Sequence, residues 1–201
     1  MTAYKHYFGQ IITTDVPDVS VDHAFLAHIQ IAATDATVAN TTGVLAATAS
    51  TGTQLVITTG ITNPNIPRCV TATAGGTATD IKVIAVVVEG TNYADEVITE
   101  TLPVFTLDTA GTVQGSKAFK TVTKITIPAH DGVGATTAAG FNEKLGLPYK
   151  LAHNTVLEAY LDNVKEATAP TVTVSTTAIE GNTIDLVTAL SSKVVDIYLM
   201  V

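Results

Sequence analysis

The sequence predicts an all-β protein: an antiparallel β-sandwich or barrel-like domain with an extended N-terminal arm. Three observations lead there. Among 201 residues there are 36 threonines, a β-branched type suited to the half-buried face of a pleated sheet, while the straight-chain helix formers are sparse. Several runs alternate apolar and polar side chains with period two, as a strand with one wet face requires. Turn-forming clusters separate these runs at the spacing of a sandwich or barrel, not of alternating β-α units.

Each element follows from its own pattern. In TVTVS (171–175) the side chains of Val172 and Val174 share one face. In KTVTKITI (120–127) strict alternation groups Thr121, Thr123, Ile125 and Ile127 against Lys120, Val122, Lys124 and Thr126. IKVIAVVV (81–88) is apolar on both faces and is expected to be a central strand. The run KVVDIYLMV (193–201) reads the same way. AGGT (74–77), EGTN (89–92), TAGT (109–112), HDGVG (130–134) and EGNT (180–183) mark turns. Short helical pieces are expected only at VDHAFLAHIQ and TTGVLAATA.

Two regions differ in texture. Residues 1–43 are expected to form the arm, which carries Tyr4, Tyr7, Phe8 and Phe25, four of the chain's 11 Tyr and Phe, together with three of its five histidines. Residues 44–201 are expected to form the sandwich domain. An arm of this kind packs along its own domain or is laid on a neighbour.

Composition narrows the function. The formal charge of −8 (10 Lys+Arg, 18 Asp+Glu) repels phosphate backbones, so nucleic acid is not an expected partner. No apolar stretch has the length of a membrane-spanning helix, and the start MTAYKHYFGQ lacks the pattern of an export signal. Cys69, the single cysteine, excludes an intrachain disulfide and reads as a small buried thiol.

The motifs that could carry chemistry fail on spacing. GTVQGSK (111–117) has three residues between its glycines and serine before lysine, unlike a phosphate loop. GVGATTAAG (132–140) has Thr137 where a dinucleotide fingerprint needs its third glycine. No serine sits in a nucleophile elbow. Asp15, Asp18, Asp22, His23 and His28 match neither a calcium loop nor a paired-histidine zinc motif. Glu96 and Glu100 share a strand face and read as solvated carboxylates. No catalytic, cofactor or metal site is therefore expected, and the absence of tryptophan argues against an aromatic binding platform.

The series NPNIPRCVTATAGGTATDIKVIAVVVEGTNYADEVITETL, GSKAFKTVTKITIPA, EKLGLPYKL, APTVTVSTTAIEGNTIDL and KVVDIYLMV, within residues 44–201, resembles a group of structural proteins of tailed bacteriophages. The resemblance implies a non-enzymatic virion protein, with a head decoration or cement protein as the preferred member. Its partner would be the major capsid protein and its assembly a homo-oligomer, with a trimer expected. It would be made in the host bacterial cytoplasm and placed on the outer head surface. Tail-tube, neck or fibre-base components remain the alternative, with a surface adhesion module behind them.

Within that frame, Pro64 and Pro67 are expected to hold an extended segment, and Arg68 to bond nearby carbonyls or carboxylates. Phe119 is expected to enter the core beside Ile125 and Ile127. Gly146 and Pro148 should make a corner over Leu145 and Leu147, with Ser116 and Lys117 at a turn. Tyr4, Tyr7, Phe8 and Phe25 are the expected capsid or subunit contacts.

Overall fold

The computed structural model describes residues 11–22 and 24–201. A small hairpin, β1 (Ile11–Thr13) and β2 (Ser20–Asp22), precedes β3 (Leu26–Ile31). Then come β4 (Asn40–Ala49), β5 (Leu55–Ile57) and β6 (Arg68–Gly76), followed by a single 3-10 turn at Ala78–Asp80. The middle of the chain supplies β7 (Val87–Thr91), β8 (Val97–Thr101), β9 (Gly111–Phe119), β10 (Thr121–Ile127) and β11 (Ala135–Gly146). The last third adds β12 (Val156–Leu161), β13 (Val164–Lys165), β14 (Thr171–Thr173), a 3-10 turn at Ile179–Gly181, β15 (Thr183–Asp185) and β16 (Val195–Met200). Every strand pairing among the described residues is antiparallel, so the all-β antiparallel expectation holds.

Two cores share one long strand. The first lies between the sheet β5-β10-β7-β8 and the β4, β6, β9 and β11 portion of a six-stranded sheet, and holds Val70, Leu102, Phe105, Phe119, Val122, Ile125 and Ile127. The second lies against the sheet β13-β12-β16-β3 and holds Leu145, Leu147, Ile184, Leu190, Val195, Ile197 and Leu199. β11 serves both, with Ala135 and Ala139 in the first and Leu145 in the second. One edge of β11 pairs with β6; the other is divided between β4, at Thr136–Phe141, and β15, at Leu145–Gly146. A register break between Phe141 and Leu145 separates the halves.

Several expected details recur in the fold. Phe119 is fully buried at the corner where the chain leaves the larger sheet as β9 and enters the smaller one as β10. Pro64 and Pro67 are buried ahead of β6, in a segment that is not extended throughout but bends at Asn65 and Ile66 between them. Arg68 donates from Nη1 to the Thr37 carbonyl (2.7 Å) and from Nη2 to the Asp35 carbonyl (3.1 Å), and lies over the Phe141 ring. Burial pushes its guanidinium down to about 10, opposed by Glu143 and Asp35. The Gly146 N–H donates to the Pro67 carbonyl (2.8 Å), and the chain bends at Pro148 over buried Leu145 and Leu147.

Other details differ, each for a local reason. VDHAFLAHIQ contributes a strand, not a helix: in β3 Ala27, Ile29 and Ile31 pack on the second core at every second position. TTGVLAATA likewise lies in β4. The strand expected over 81–88 begins only at Val87; Ile81, Ile84 and Val86 are buried in irregular chain, where the carbonyls of Ile84 and Val86 accept from Phe105 and Leu102. In β10 a register shift between Val122 and Lys124 turns Val122 inward with Ile125 and Ile127 and leaves Thr123 outside. Ser116 and Lys117 lie within β9, not at a turn. Gly90 is internal to β7, where a Cβ would stand 1.9 Å from the Thr121 carbonyl oxygen. The boundary drawn at 43/44 falls inside β4, and Tyr4, Tyr7 and Phe8 lie outside the described residues.

Candidate functional site

The outer face of the sheet β13-β12-β16-β3 carries acidic, basic, aromatic and apolar side chains together. Alternation builds it. Ala27, Ile29, Ala159, Leu161, Val195, Ile197 and Leu199 point to the second core, which turns Leu26, His28, Gln30, Glu158, Tyr160, Asp196, Tyr198 and Met200 outward. Register then aligns them into rows: Lys165, Tyr160, Asp196 and Gln30 in one, Glu158, Tyr198 and His28 in the next, Met200 and Leu26 in a third.

Contacts tie the rows together, within each and across the two. Asp196 accepts from His28 Nε2 (2.7 Å) and Gln30 Nε2 (3.0 Å). His28 stacks on Tyr198 with centroids 4.6 Å apart, and Tyr160 meets the same ring edge-on at 5.9 Å. Glu158 accepts from the Tyr160 hydroxyl and from Lys165 Nζ. Those bonds set the protonation order: Lys165, then Tyr160, hold Glu158 below the usual carboxylate range, while Glu158 raises Tyr160 and Lys165 above theirs. Between the rows lies a cleft of about 350 Å³ lined by Leu26, Leu157, Glu158, Tyr160, Asn163, Asp196 and Tyr198.

Chemically, this face combines engaged polar groups with packed aromatic rings. Its carboxylates are engaged with neighbouring cations and donors, and the cleft lining contains no hydroxyl or thiol nucleophile beyond the two phenols. No aromatic platform was expected; the fold assembles one from Tyr160, Tyr198 and His28, which lie far apart in sequence. The available signal was the alternation in LAHIQI, VLEAYL and VDIYLM. Phe25, 43% exposed, extends the β3–β16 ladder through reciprocal backbone bonds with Val201 (2.8 and 2.9 Å), which by alternation places it on the side of Ala27 and Ile29 and not on this outer face.

A second polar cluster lies where β8, β9 and the 3-10 turn at Ile179–Gly181 converge. Glu100 is buried, not solvated: one carboxylate oxygen accepts from the Ser116 N–H (2.6 Å) and Oγ (2.9 Å), and the Lys117 N–H also reaches the group. Gly115 makes room for it, since a Cβ there would stand 2.6 Å from Glu100 Oε2. Glu96, just ahead of β8, is exposed and accepts from Asn92. Asn92 and Glu180 complete the cluster, and neither was singled out in the sequence.

The remaining candidates disperse. Asp15 and Asp18 are exposed, His28 is committed to Asp196, and His23 lies outside the described residues. Among the described residues, no group of three or more His, Cys, Asp or Glu could hold a metal ion. No helix among them is long and apolar enough to cross a membrane. Cys69 is fully buried, and burial pushes its thiol up to about 12. No protein-family model matches the chain, and no curated protein or solved structure shows significant similarity to it.

Proposed function

We propose that the chain is a non-enzymatic structural protein of a tailed-bacteriophage virion, a decoration or cement protein bound to the outside of the major capsid lattice. The observation that carries the reading is the outer face of β3, β12 and β16. It presents two stacked or edge-packed tyrosines beside Leu26 and Leu157, which are 60% and 57% exposed, on a sheet held rigid by its own core. Aromatic anchors fixed on a rigid sheet favour protein contact, because little side-chain freedom is lost on binding. The ordered motif series within residues 44–201 supplies the virion assignment, and the net charge of −8 suits a position away from packaged DNA. Each copy meets the major capsid protein through this face, and copies associate as a homo-oligomer, a trimer in the simplest arrangement. The protein is made in the host bacterial cytoplasm and reaches its place during head assembly.

Cryo-electron microscopy of the purified virion tests the placement. Density of this size and β-sandwich character on the outer head between capsomers is the expected result; density in the tail, neck or fibre base overturns the decoration role. Added back to undecorated heads, the Tyr160→Ala, Tyr198→Ala double variant should lose binding while keeping its β-sheet circular dichroism.

A further inference from the structure

The buried cluster around Asn92 has the parts of a self-crosslinking site. Asn92 is 0% exposed, and both ends of its side-chain amide are held. Its Oδ1 accepts from the backbone N–H groups of Ala94 (2.9 Å) and Glu96 (3.0 Å). Its Nδ2 donates to Glu96 Oε2 (2.9 Å) and to Glu180 Oε2 (3.1 Å). The other oxygen of Glu180 faces Lys117, whose Nζ is 3.8 Å away and donates to the Thr99 carbonyl (2.9 Å). One buried carboxylate thus stands between an amine and a carboxamide.

An ordinary buried asparagine needs only to satisfy its hydrogen bonds, and the two backbone donors make a common turn. That account concerns the asparagine alone; Lys117, which donates to the Thr99 carbonyl, also reaches from the middle of β9 toward a carboxylate already bonded to Asn92. The geometry points to an intrachain isopeptide bond between Lys117 Nζ and Asn92 Cγ, formed with Glu180 as the proton carrier.

Glu180 takes a proton from the Lys117 ammonium, and the freed Nζ lone pair attacks Asn92 Cγ. The electron pair displaced onto Oδ1 is stabilised by the Ala94 and Glu96 N–H groups, which already point at that oxygen. Return of the pair breaks the Cγ–Nδ2 bond, Glu180 delivers its proton to the departing nitrogen, and the second proton of Nζ follows. An ammonium side chain and a carboxamide become one secondary amide and one ammonium ion, with no oxidant or reductant required. Asn92 and Glu180 are buried while the Lys117 side chain is 37% exposed, and anchoring amine and carboxamide on one carboxylate makes their encounter intramolecular. The product ties the β7–β8 hairpin to β9. This inference stands apart from the virion reading and holds wherever the protein is placed.

High-resolution mass spectrometry of the purified, denatured full-length chain decides it. The expected mass lies about 17 Da below that of the sequence, the loss of one ammonia. Trypsin should leave Lys117 uncut and yield a branched peptide joining the Asn92 and Lys117 segments. Lys117→Arg and Asn92→Ala should each restore the sequence mass, and Glu180→Gln should restore it while preserving the β-sheet circular dichroism. A wild-type chain at the full sequence mass overturns the proposal whatever the variants do. So does a 17 Da loss that persists in Lys117→Arg, which would place the chemistry elsewhere.

Discussion

His28 lies flat against Tyr198, the two rings 6° from parallel, while its Nε2 stands 2.7 Å from Asp196 Oδ1. The imidazole is therefore fixed by a face and by an edge at once, and both contacts cross the β3–β16 seam. Because β3 is the outermost strand of its sheet, these side chains add to what its backbone ladder supplies. Asp196→Ala should cost about 1 kcal/mol, since His28 and Gln30 are partly exposed and water replaces the lost acceptor. Hydrogen exchange should show faster opening of the Leu26–Ile31 amides with the first core unchanged; uniform acceleration across both cores would contradict a local role.

Arg68 closes the segment between β3 and β4 onto the body of the protein through the carbonyls of Asp35 and Thr37. Replacing it with methionine retains volume but leaves both carbonyls without their donor. Arg68→Met should lower stability by about 2–4 kcal/mol, and Arg68→Lys by less, because a single ammonium cannot reproduce the two-nitrogen fork. Urea denaturation measures the loss, and limited proteolysis should find the first new cut within residues 32–39. A cut pattern unchanged from wild type would show that the segment is held by other contacts.

His130 gives the protein a pH-dependent core. Its Nδ1 accepts from the Lys82 N–H (3.2 Å), so the proton resides on Nε2, which donates to Thr137 Oγ1 (2.9 Å). The ring stacks near Phe105, and burial lowers its pKa against a smaller opposing effect of Asp131. The neutral form is the one that fits. Above the ordinary value of about 6.5 this arrangement contributes fully; as pH falls below it, the unfolded chain takes up a proton that the folded chain resists, and stability declines. The urea midpoint should drop between pH 7.5 and 5.5, and His130→Asn, which keeps an acceptor for Lys82, should flatten that drop. Equal slopes in both proteins would remove His130 as its source.

Much of the fold was legible because it rests on alternation and on large apolar side chains. Phe119, Ile125, Ile127, Leu145 and Leu147 lie in the cores the sequence placed them in. The errors arose where a strand departs from ideal pairing. The shift between Val122 and Lys124 reverses the expected face of Val122, and Ile81–Val86 stays irregular although apolar on both sides. Glu100 read as solvated because neither the space beside Gly115 nor the donors on Ser116 and Lys117 can be placed from local spacing. The same limit hid the outer face: Tyr160, Tyr198 and His28 each alternate correctly within their strands, but only the register of β12, β16 and β3 makes them neighbours.

Cys69 illustrates the converse, a residue whose environment was inferred correctly from one line of sequence. It is the second residue of β6, is fully buried, and its thiol is pushed up to about 12 chiefly by burial, with Lys144 pulling the other way. The thiolate is the reactive species, so the native protein at pH 8 offers almost none. Ellman's reagent should leave the folded chain unlabelled over hours and label one thiol promptly in denaturant. The rate of labelling in the native state should follow global unfolding, rising in step with urea toward the midpoint. Prompt labelling without denaturant would mean that β6 opens on its own, and would contradict the protection of Cys69 by its place in a central strand between β9 and the shared strand β11.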